Sequence, residues 1–214
     1  MLTVVRPTEA SVIRLLLERT DSQFTYHQVG MTHRDSFPPG FVADRERTLL
    51  GYGEATYEIA KEGLRRWAMF PGEMTTLFWK HCPIRVGEQV AVLFRAGPLW
   101  SLNPCRIVDV FADESEERKS VRFGFACGTL PGHLECGEEQ FAVSWNRVDD
   151  SVHYELLAVS RPNHWLTKIG SPHARHVQAR FRRLSGAAMK SFVTNCGPGL
   201  PLRPATSHRL AVER

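Results

Sequence analysis

The sequence predicts an α+β domain in which a long C-terminal helix packs across a curved antiparallel sheet of about six to seven strands. Between residues 75 and 162, short β-rich runs follow one another with only turn residues between them. This spacing leaves no room for crossover helices, so the strands must be antiparallel. From residue 172 to 194, apolar residues recur at intervals of three and four, which is typical of a helix with one apolar face. A curved sheet must cover its concave face, and this helix is long and apolar enough to do so.

The N-terminal part predicts two helices and one strand. Residues 8–19 place Val12, Leu15 and Leu16 on one helical face after Pro7. Residues 24–30 alternate between apolar and polar side chains, which predicts a strand. A loop over residues 32–48 follows, broken by two prolines and a glycine, and a second amphipathic helix is expected over residues 54–68.

The middle of the chain predicts six strands separated by turns rich in Gly, Pro, Asn and Asp. They are expected at residues 75–80, 89–95, 105–112, 119–129, 134–145 and 151–159. The C-terminal helix should present an apolar stripe made of Ala174, Val177, Phe181, Leu184, Ala188 and Phe192. We therefore expect a single domain over residues 1–194 with its core in 24–192, and a flexible Pro- and Gly-rich tail over 195–214.

Composition limits the classes of protein to consider. Apolar residues make up 43% of the 214 residues, enough for a sizeable core, and the net charge is only +4. No stripe of basic and aromatic residues indicates nucleic acid as a partner. The five cysteines are an odd number and form no Cys-x-x-Cys pair, which favours reduced thiols over a disulfide framework or zinc ribbon. Charged residues interrupt the N-terminus and no apolar run reaches the ~18 residues of a membrane span. The expected location is cytoplasmic, and the oligomeric state is left open.

Several short segments of the sequence are also found, in the same order, in an uncharacterised family. These are Phe24-Thr25-Tyr26 with Val29-Gly30, Leu50-Gly51-Tyr52-Gly53, Leu64-Arg65-Arg66-Trp67, Pro131-Gly132-His133, Gly137-Glu138-Glu139-Gln140-Phe141 and Ser160-Arg161-Pro162. Over residues 24–192 the chain resembles the domain-of-unknown-function 1990 family of small bacterial and plant proteins. The resemblance implies the extent of the domain and no activity. The order of the elements is similar to that of the START and Bet v 1-like helix-grip proteins.

The segment GHLECGEEQFAVSW carries the most informative pattern. Side chains of a strand alternate between its two faces, so Phe141 on the core side places Glu139, Glu135 and His133 on the same side. A carboxylate on the core side requires a cation or several hydrogen-bond donors. The pattern allows a polar end of a ligand cavity, a buried salt bridge to a nearby arginine, or a bulge at Gly137 that turns Glu139 to solvent.

We expect a binding protein that holds a small apolar or amphipathic ligand between the sheet and the C-terminal helix. The expected ligand-binding residues are Tyr26, Trp67, His133, Glu135, Glu139, Arg161, Arg175 and Gln178. An alternative is an enzyme that uses His133 and Glu139 as an acid–base pair. Another is an interaction module that uses the basic face of the C-terminal helix around Arg180 and Arg183, a face otherwise expected to meet only water.

Other motifs are weak, and no catalytic residue, metal site or cofactor is predicted. The turn Gly51-Tyr52-Gly53 lacks the third glycine of a dinucleotide fingerprint. His173 and His176 have helical spacing but no His-Glu-x-x-His unit. The chain has no Gly-x-Ser-x-Gly nucleophile elbow.

Overall fold

The computed structural model describes residues 2–78, 82–96, 99–117, 119–163 and 171–197, and for residues 96 and 171–174 it describes the backbone alone. Within these ranges the chain forms eight β-strands, three α-helices and one short 3₁₀ helix. The strands are β1 (Leu2–Thr3), β2 (Val42–Tyr52), β3 (Thr75–Phe78), β4 (Gln89–Ala96), β5 (Leu99–Ser115), β6 (Ser120–Thr129), β7 (Glu135–Asn146) and β8 (Ser151–Pro162). The helices are α1 (Glu9–Glu18), α2 (Glu54–Arg65) and α3 (Ser171–Asn195), with the 3₁₀ turn at Met31–His33.

All strands belong to one antiparallel sheet with the order β2-β8-β7-β6-β5-β4-β3, to which β1 adds by pairing with β5. The sheet curls into a half-barrel, and α2 and α3 pack on its concave side. The predicted fold class is confirmed. None of the described helices is long and apolar enough to cross a membrane.

The concave face and the two longer helices share one core. Phe181, Met189 and Val193 of α3 pack there with Leu64 of α2 and Phe141 of β7. A buried hydrogen bond joins the hydroxyl groups of Tyr154 and Ser185 at 2.6 Å, and so ties α3 to the centre of β8. The helix is thereby held across the sheet along its middle and C-terminal turns.

The buried stripe of α3 is displaced from the predicted one. Ser185, Gly186, Met189 and Val193 are buried, whereas the predicted Leu184, Ala188 and Phe192 are half-buried at the margin. A small side chain is required at the centre because Thr48 of β2 comes very close to Gly186. The side chain of the predicted Ala174 and the tail at 198–214 lie outside the described residues.

Two N-terminal predictions were wrong. The loop expected over residues 32–48 is in part a strand: residues 42–48 belong to β2 (Val42–Tyr52), which pairs with β8 at the edge of the sheet. Its sequence lacks the apolar alternation of a strand because its outer residues meet solvent and its inner residues face the basic helix. Residues 24–30, expected to form a strand, are bends and turns in which Tyr26 packs on the convex face of the sheet with Met31 and Val159.

Candidate functional site

A cavity of about 410 Å³ lies between the concave face of the sheet and α3. This volume is within the ~300–1,000 Å³ range of small-molecule sites. Its apolar wall consists of Leu2, Trp67, Phe70, Val90, Val92, Phe94, Leu99, Leu134, Phe141, Ala158, Val177 and Phe181. Its polar residues are Asp44, Arg95, Ser101, Asn103, Thr129, His133, Glu135, Glu138, Glu139, Ser160, Gln178 and Arg182.

The apolar wall is largely aromatic. The ring of Phe181 on α3 lies 5.8 Å from that of Phe70 and 5.6 Å from that of Phe94, and Phe70 lies 5.6 Å from Phe141. Trp67 packs against Phe70 at 6.0 Å and is oriented by its indole N–H, which donates to the Cys82 carbonyl at 2.9 Å. The rings are therefore held by the sheet, by the end of α2 and by α3 together.

The acidic groups converge because of the strand register. Asp44 of β2 pairs with Ala158 of β8, which pairs with Glu139 of β7, which in turn pairs with Cys127 of β6. These four residues form a row across the concave face, since directly opposed residues of an antiparallel pair share a face. Ala158, which separates the two acidic residues in this row, has only a small side chain.

The neighbouring glutamates Glu138 and Glu139 point to opposite faces. Glu138 is 2% exposed and its carboxylate accepts from the backbone N–H of Gly30 at 2.6 Å and of Thr32 at 3.1 Å, and from the Thr32 hydroxyl at 3.3 Å. It anchors the 3₁₀ turn to the convex face. Glu139 points to the interior, and its remaining accessible surface faces the cavity. The pairing of β7 with β8 runs through Gly137 without a register shift, so the bulge considered from the sequence is not present.

Of the cations that the structure describes, Arg182 makes the shortest ion pair with this acidic row. Its guanidinium lies 3.3 Å from the Asp44 carboxylate, and its side chain is only 14% exposed. Arg175 reaches the same carboxylate at 3.8 Å from the rim, where its side chain is 51% exposed. Asp44 thus forms ion pairs with two arginines of α3. The expectation that the Arg180–Arg183 face meets only water was wrong for Arg182, which points inward.

Burial raises the pKa of two glutamates of the cavity towards neutral pH. Burial raises the pKa of the Glu139 carboxyl to about 7, although the charge of Arg182 opposes this shift. Burial also raises the pKa of Glu135 to about 7, against a hydrogen bond from Ser160 and the charge of Arg175. Both groups are therefore able to gain or lose a proton near neutral pH.

His133 is a neutral imidazole at the same end of the cavity. Burial lowers its pKa to about 3. The backbone N–H of Glu135 donates to Nδ1 at 2.9 Å. The Glu135 carbonyl oxygen also lies 3.1 Å from Nδ1, but the amide is a fixed donor and the shorter contact decides the tautomer. The ring proton accordingly resides on Nε2, which is the group that the imidazole can offer to a ligand.

Five of the predicted ligand-binding residues line the cavity, and three do not. Trp67, His133, Glu135, Glu139 and Gln178 line it. Tyr26 lies on the convex face, where its hydroxyl approaches Gly128. Arg161 pairs with Cys136 on that outer face and stacks 4.9 Å from the ring of Phe41. Arg175 lies at the rim and contacts Asp44.

Sequence reasoning missed Asp44 and Arg182. Asp44 was assigned to a loop, and Arg182 to the exposed face of the helix, so neither carried a local signal. The one available clue was that Asp44 and Glu46 alternate with Arg45 and Arg47, as in a strand with an acidic and a basic face.

The cavity also contains two thiols, Cys105 and Cys127. Burial raises the pKa of both thiols, and Glu139 adds to the shift. They are protonated at neutral pH and contribute small, weakly polar wall surface. In the part of the chain that the structure describes, no group of three or more His, Cys, Asp or Glu side chains is arranged to hold a metal ion.

Solved structures with a similar backbone have low sequence identity. One is major latex-like protein 151 from Panax ginseng, with a TM-score of 0.42 and 13% identity over 71% of this chain and 97% of that chain. Another is norcoclaurine synthase from Thalictrum flavum, solved in complex with dopamine and hydroxybenzaldehyde, with a TM-score of 0.39 and 13% identity over 74% of this chain and 88% of that chain.

Sequence comparison finds relatives that match most of the chain. A UPF0548 protein of Dictyostelium discoideum is 30% identical over 82% of this chain and 88% of its own length. A UPF0548 protein of Arabidopsis thaliana is 30% identical over 72% of this chain and 74% of its own length. The model of the domain of unknown function DUF1990 matches residues 25–188. The chain belongs to the DUF1990 family.

Proposed function

We propose that this protein binds a small apolar or amphipathic molecule in the cavity between the sheet and α3. The observation that carries the proposal is the cavity itself, with about 410 Å³ of space beneath a helix that is otherwise well packed. Interiors are normally close-packed, and a void of this size leaves its lining without contacts. An apolar ligand would supply those contacts.

The arrangement of the lining favours an amphipathic ligand. The polar groups lie where β2 and β7 begin and where β6 and β8 end, whereas the aromatic wall begins at Phe141 and continues through Phe70 and Phe181. A molecule with an apolar body and one polar head matches this separation. The five free cysteines fit our further proposal that the protein functions in the reducing cytoplasm.

Filling the cavity tests the proposal. We expect wild-type protein mixed with lipid and aromatic extracts to retain a small molecule in native mass spectrometry. Ala158→Phe places a ring in the floor of the cavity, and Val177→Phe places one in its roof, so both variants should lose the bound mass. Arg45→Phe, at an exposed position of β2, is the control and should keep it.

Circular dichroism verifies that the variants are folded. Since one filling variant could fail to fold, the second from the opposite wall keeps the test decisive. Retention of the same bound mass by folded Ala158→Phe and folded Val177→Phe would contradict ligand binding in this cavity.

A second candidate function is acid–base catalysis by His133 and Glu139. It is favoured by their placement, since both side chains line one cavity and the pKa of Glu139 is raised to about 7 by burial. We expect wild-type protein to accelerate exchange of α-protons for deuterium in at least one aromatic ketone or aldehyde of a panel, followed by NMR. Glu139→Gln and His133→Asn should both reduce this exchange at least tenfold, while Glu117→Gln at an exposed glutamate should not. Equal exchange by Glu139→Gln and wild type would rule this function out.

A further inference from the structure

We infer that the ligand carries a positively charged nitrogen next to an apolar body, and that Glu139, assisted by Glu135, binds this nitrogen. The inference rests on the proposed ligand-binding function and specifies the chemical class of the ligand. It starts from the charges of the cavity. Four acidic residues line it, Asp44, Glu135, Glu138 and Glu139, and the carboxylate of Glu138 is already bonded to Gly30 and Thr32 on the convex face.

The two arginines of α3 near the acidic row form their ion pairs with Asp44 and not with Glu135 or Glu139. Arg182 and Arg175 both form their ion pairs with Asp44, at 3.3 and 3.8 Å. Among the described residues, neither Glu135 nor Glu139 forms an ion pair within 4.0 Å. Arg182 acts on Glu139 only through its field. Within the described ranges, the acidic end thus has two carboxyl groups that lack a bound counter-charge.

Within the described residues, Glu135 and Glu139 also receive few hydrogen bonds. Glu138, one residue away, receives three hydrogen bonds from Gly30 and Thr32. Glu139 receives none from the part of the chain that the structure describes, and Glu135 receives one weak contact from the Ser160 hydroxyl at 3.5 Å. A buried carboxyl group without donors must be neutralised by a proton or by a cation. The same strand therefore provides full compensation for its outward glutamate and leaves its inward glutamate to an external partner.

The space around Glu139 suits an ammonium group. Its cross-strand neighbours Cys127 and Ala158 are small, and Gly137, two residues away on the same face, has no side chain. Phe141, on the other side of Glu139, belongs to the aromatic wall. A cation at this point would lie beside a carboxylate and close to the aromatic wall, and aromatic rings are what proteins use to bind quaternary ammonium groups. An anionic ligand would instead face two carboxyl groups.

The pH dependence of binding follows from the same groups. Burial raises the pKa of Glu139 and Glu135 to about 7. Below this pH a cation must displace a proton, and above it the carboxylate is already ionised. The affinity for a cation should therefore rise between pH 6 and pH 8, by up to about tenfold per unit below the pKa for each group involved. The titratable and charged groups facing the two glutamates are Asp44, Cys105, Cys127, His133, Tyr154, Arg175 and Arg182.

The test uses three probes that share a phenethyl body. Phenethyltrimethylammonium has a permanent charge, (3,3-dimethylbutyl)benzene is its neutral isostere, and 3-phenylpropionate is an anion. Titration calorimetry of wild-type protein at pH 8 should give at least about tenfold tighter binding of the ammonium than of the neutral isostere, and the ratio should shrink at pH 6. Glu139→Gln should remove most of this preference without weakening the neutral probe. Glu117→Gln should behave as wild type.

Each outcome bears on the inference. Equal affinity for the charged and neutral probes, or tighter binding of the anion, overturns it while leaving the proposed function intact. A preference for the ammonium that survives in both Glu139→Gln and Glu135→Gln overturns the assignment of these residues. If wild-type protein binds none of the probes, the inference also fails, and the cavity-filling comparison decides separately whether the proposed function stands.

Discussion

Replacement of Gly137 by alanine is expected to lower the free energy of unfolding by about 3 kcal/mol or more. A Cβ atom at this position would lie 2.0 Å from the carbonyl oxygen of Val159 and 2.8 Å from Cα of Ser160. Both atoms belong to the backbone of β8, so no side-chain rotation relieves the clash. Strands β7 and β8 would have to separate between Glu135 and Glu139, where the acidic end of the cavity is built.

Urea denaturation followed by circular dichroism measures this effect. Gly72→Ala is the matched control, because a Cβ atom there meets nothing within 4 Å and the backbone is not left-handed. It should change stability by less than about 0.5 kcal/mol or increase it slightly. Similar unfolding midpoints for the two variants would show that the two strands are not held as closely as described.

Replacement of Glu139 by glutamine is expected to stabilise the protein by up to about 3 kcal/mol at pH 8 and to have little effect near pH 4.5. The pKa of Glu139 rises from 4.5 to about 7 on folding because the carboxyl is buried. The folded state therefore binds more protons than the unfolded state between these two values, and stability falls as the pH rises through this window. Each pKa unit between the folded and unfolded states is worth roughly 1.4 kcal/mol. The difference between 4.5 and about 7 therefore sets the upper limit of the stabilisation.

Denaturant midpoints between pH 4.5 and pH 8 test the expectation. The curve of wild-type protein should fall relative to that of Glu139→Gln as the pH increases, and the two should converge at the acid end. Glu117→Gln, at an exposed glutamate, should run parallel to wild type throughout. A Glu139→Gln variant that is less stable than wild type at pH 8 would mean that the carboxylate is satisfied within the protein, and it would remove the basis for a cationic ligand.

A gain of stability on removing Glu139 would be informative about function. Interior groups that reduce stability are typical of binding and catalytic sites. Within the described chain, Glu138 is the contrast, since its three hydrogen bonds make it a structural residue. The two adjacent glutamates of one motif thus have separate roles, one in holding the 3₁₀ turn and one in the cavity.

How much could be predicted depended on the range of the interactions. The approximate positions of strands β3 to β8 and of the three helices along the chain could be predicted from local periodicity and turn residues. These patterns depend only on residues that are close together in the sequence. The strand β2 was missed because an edge strand with charged residues on both faces has no apolar alternation. The arginine partner of the acidic row was also missed, since Arg182 reaches Asp44 only when α3 is laid across the sheet.

The sequence by itself determined that one amphipathic helix covers an antiparallel sheet and that Glu139 shares a face with Phe141, because both follow from the period of side chains along an element. Only the tertiary structure decided that Asp44, Glu139 and Arg182 meet and that the space beside them stays open. It also decided that Tyr26 and Arg161 lie on the opposite face. These outcomes depend on which strands pair, in what register and at what point the helix crosses them, and no single segment of the chain contains that information.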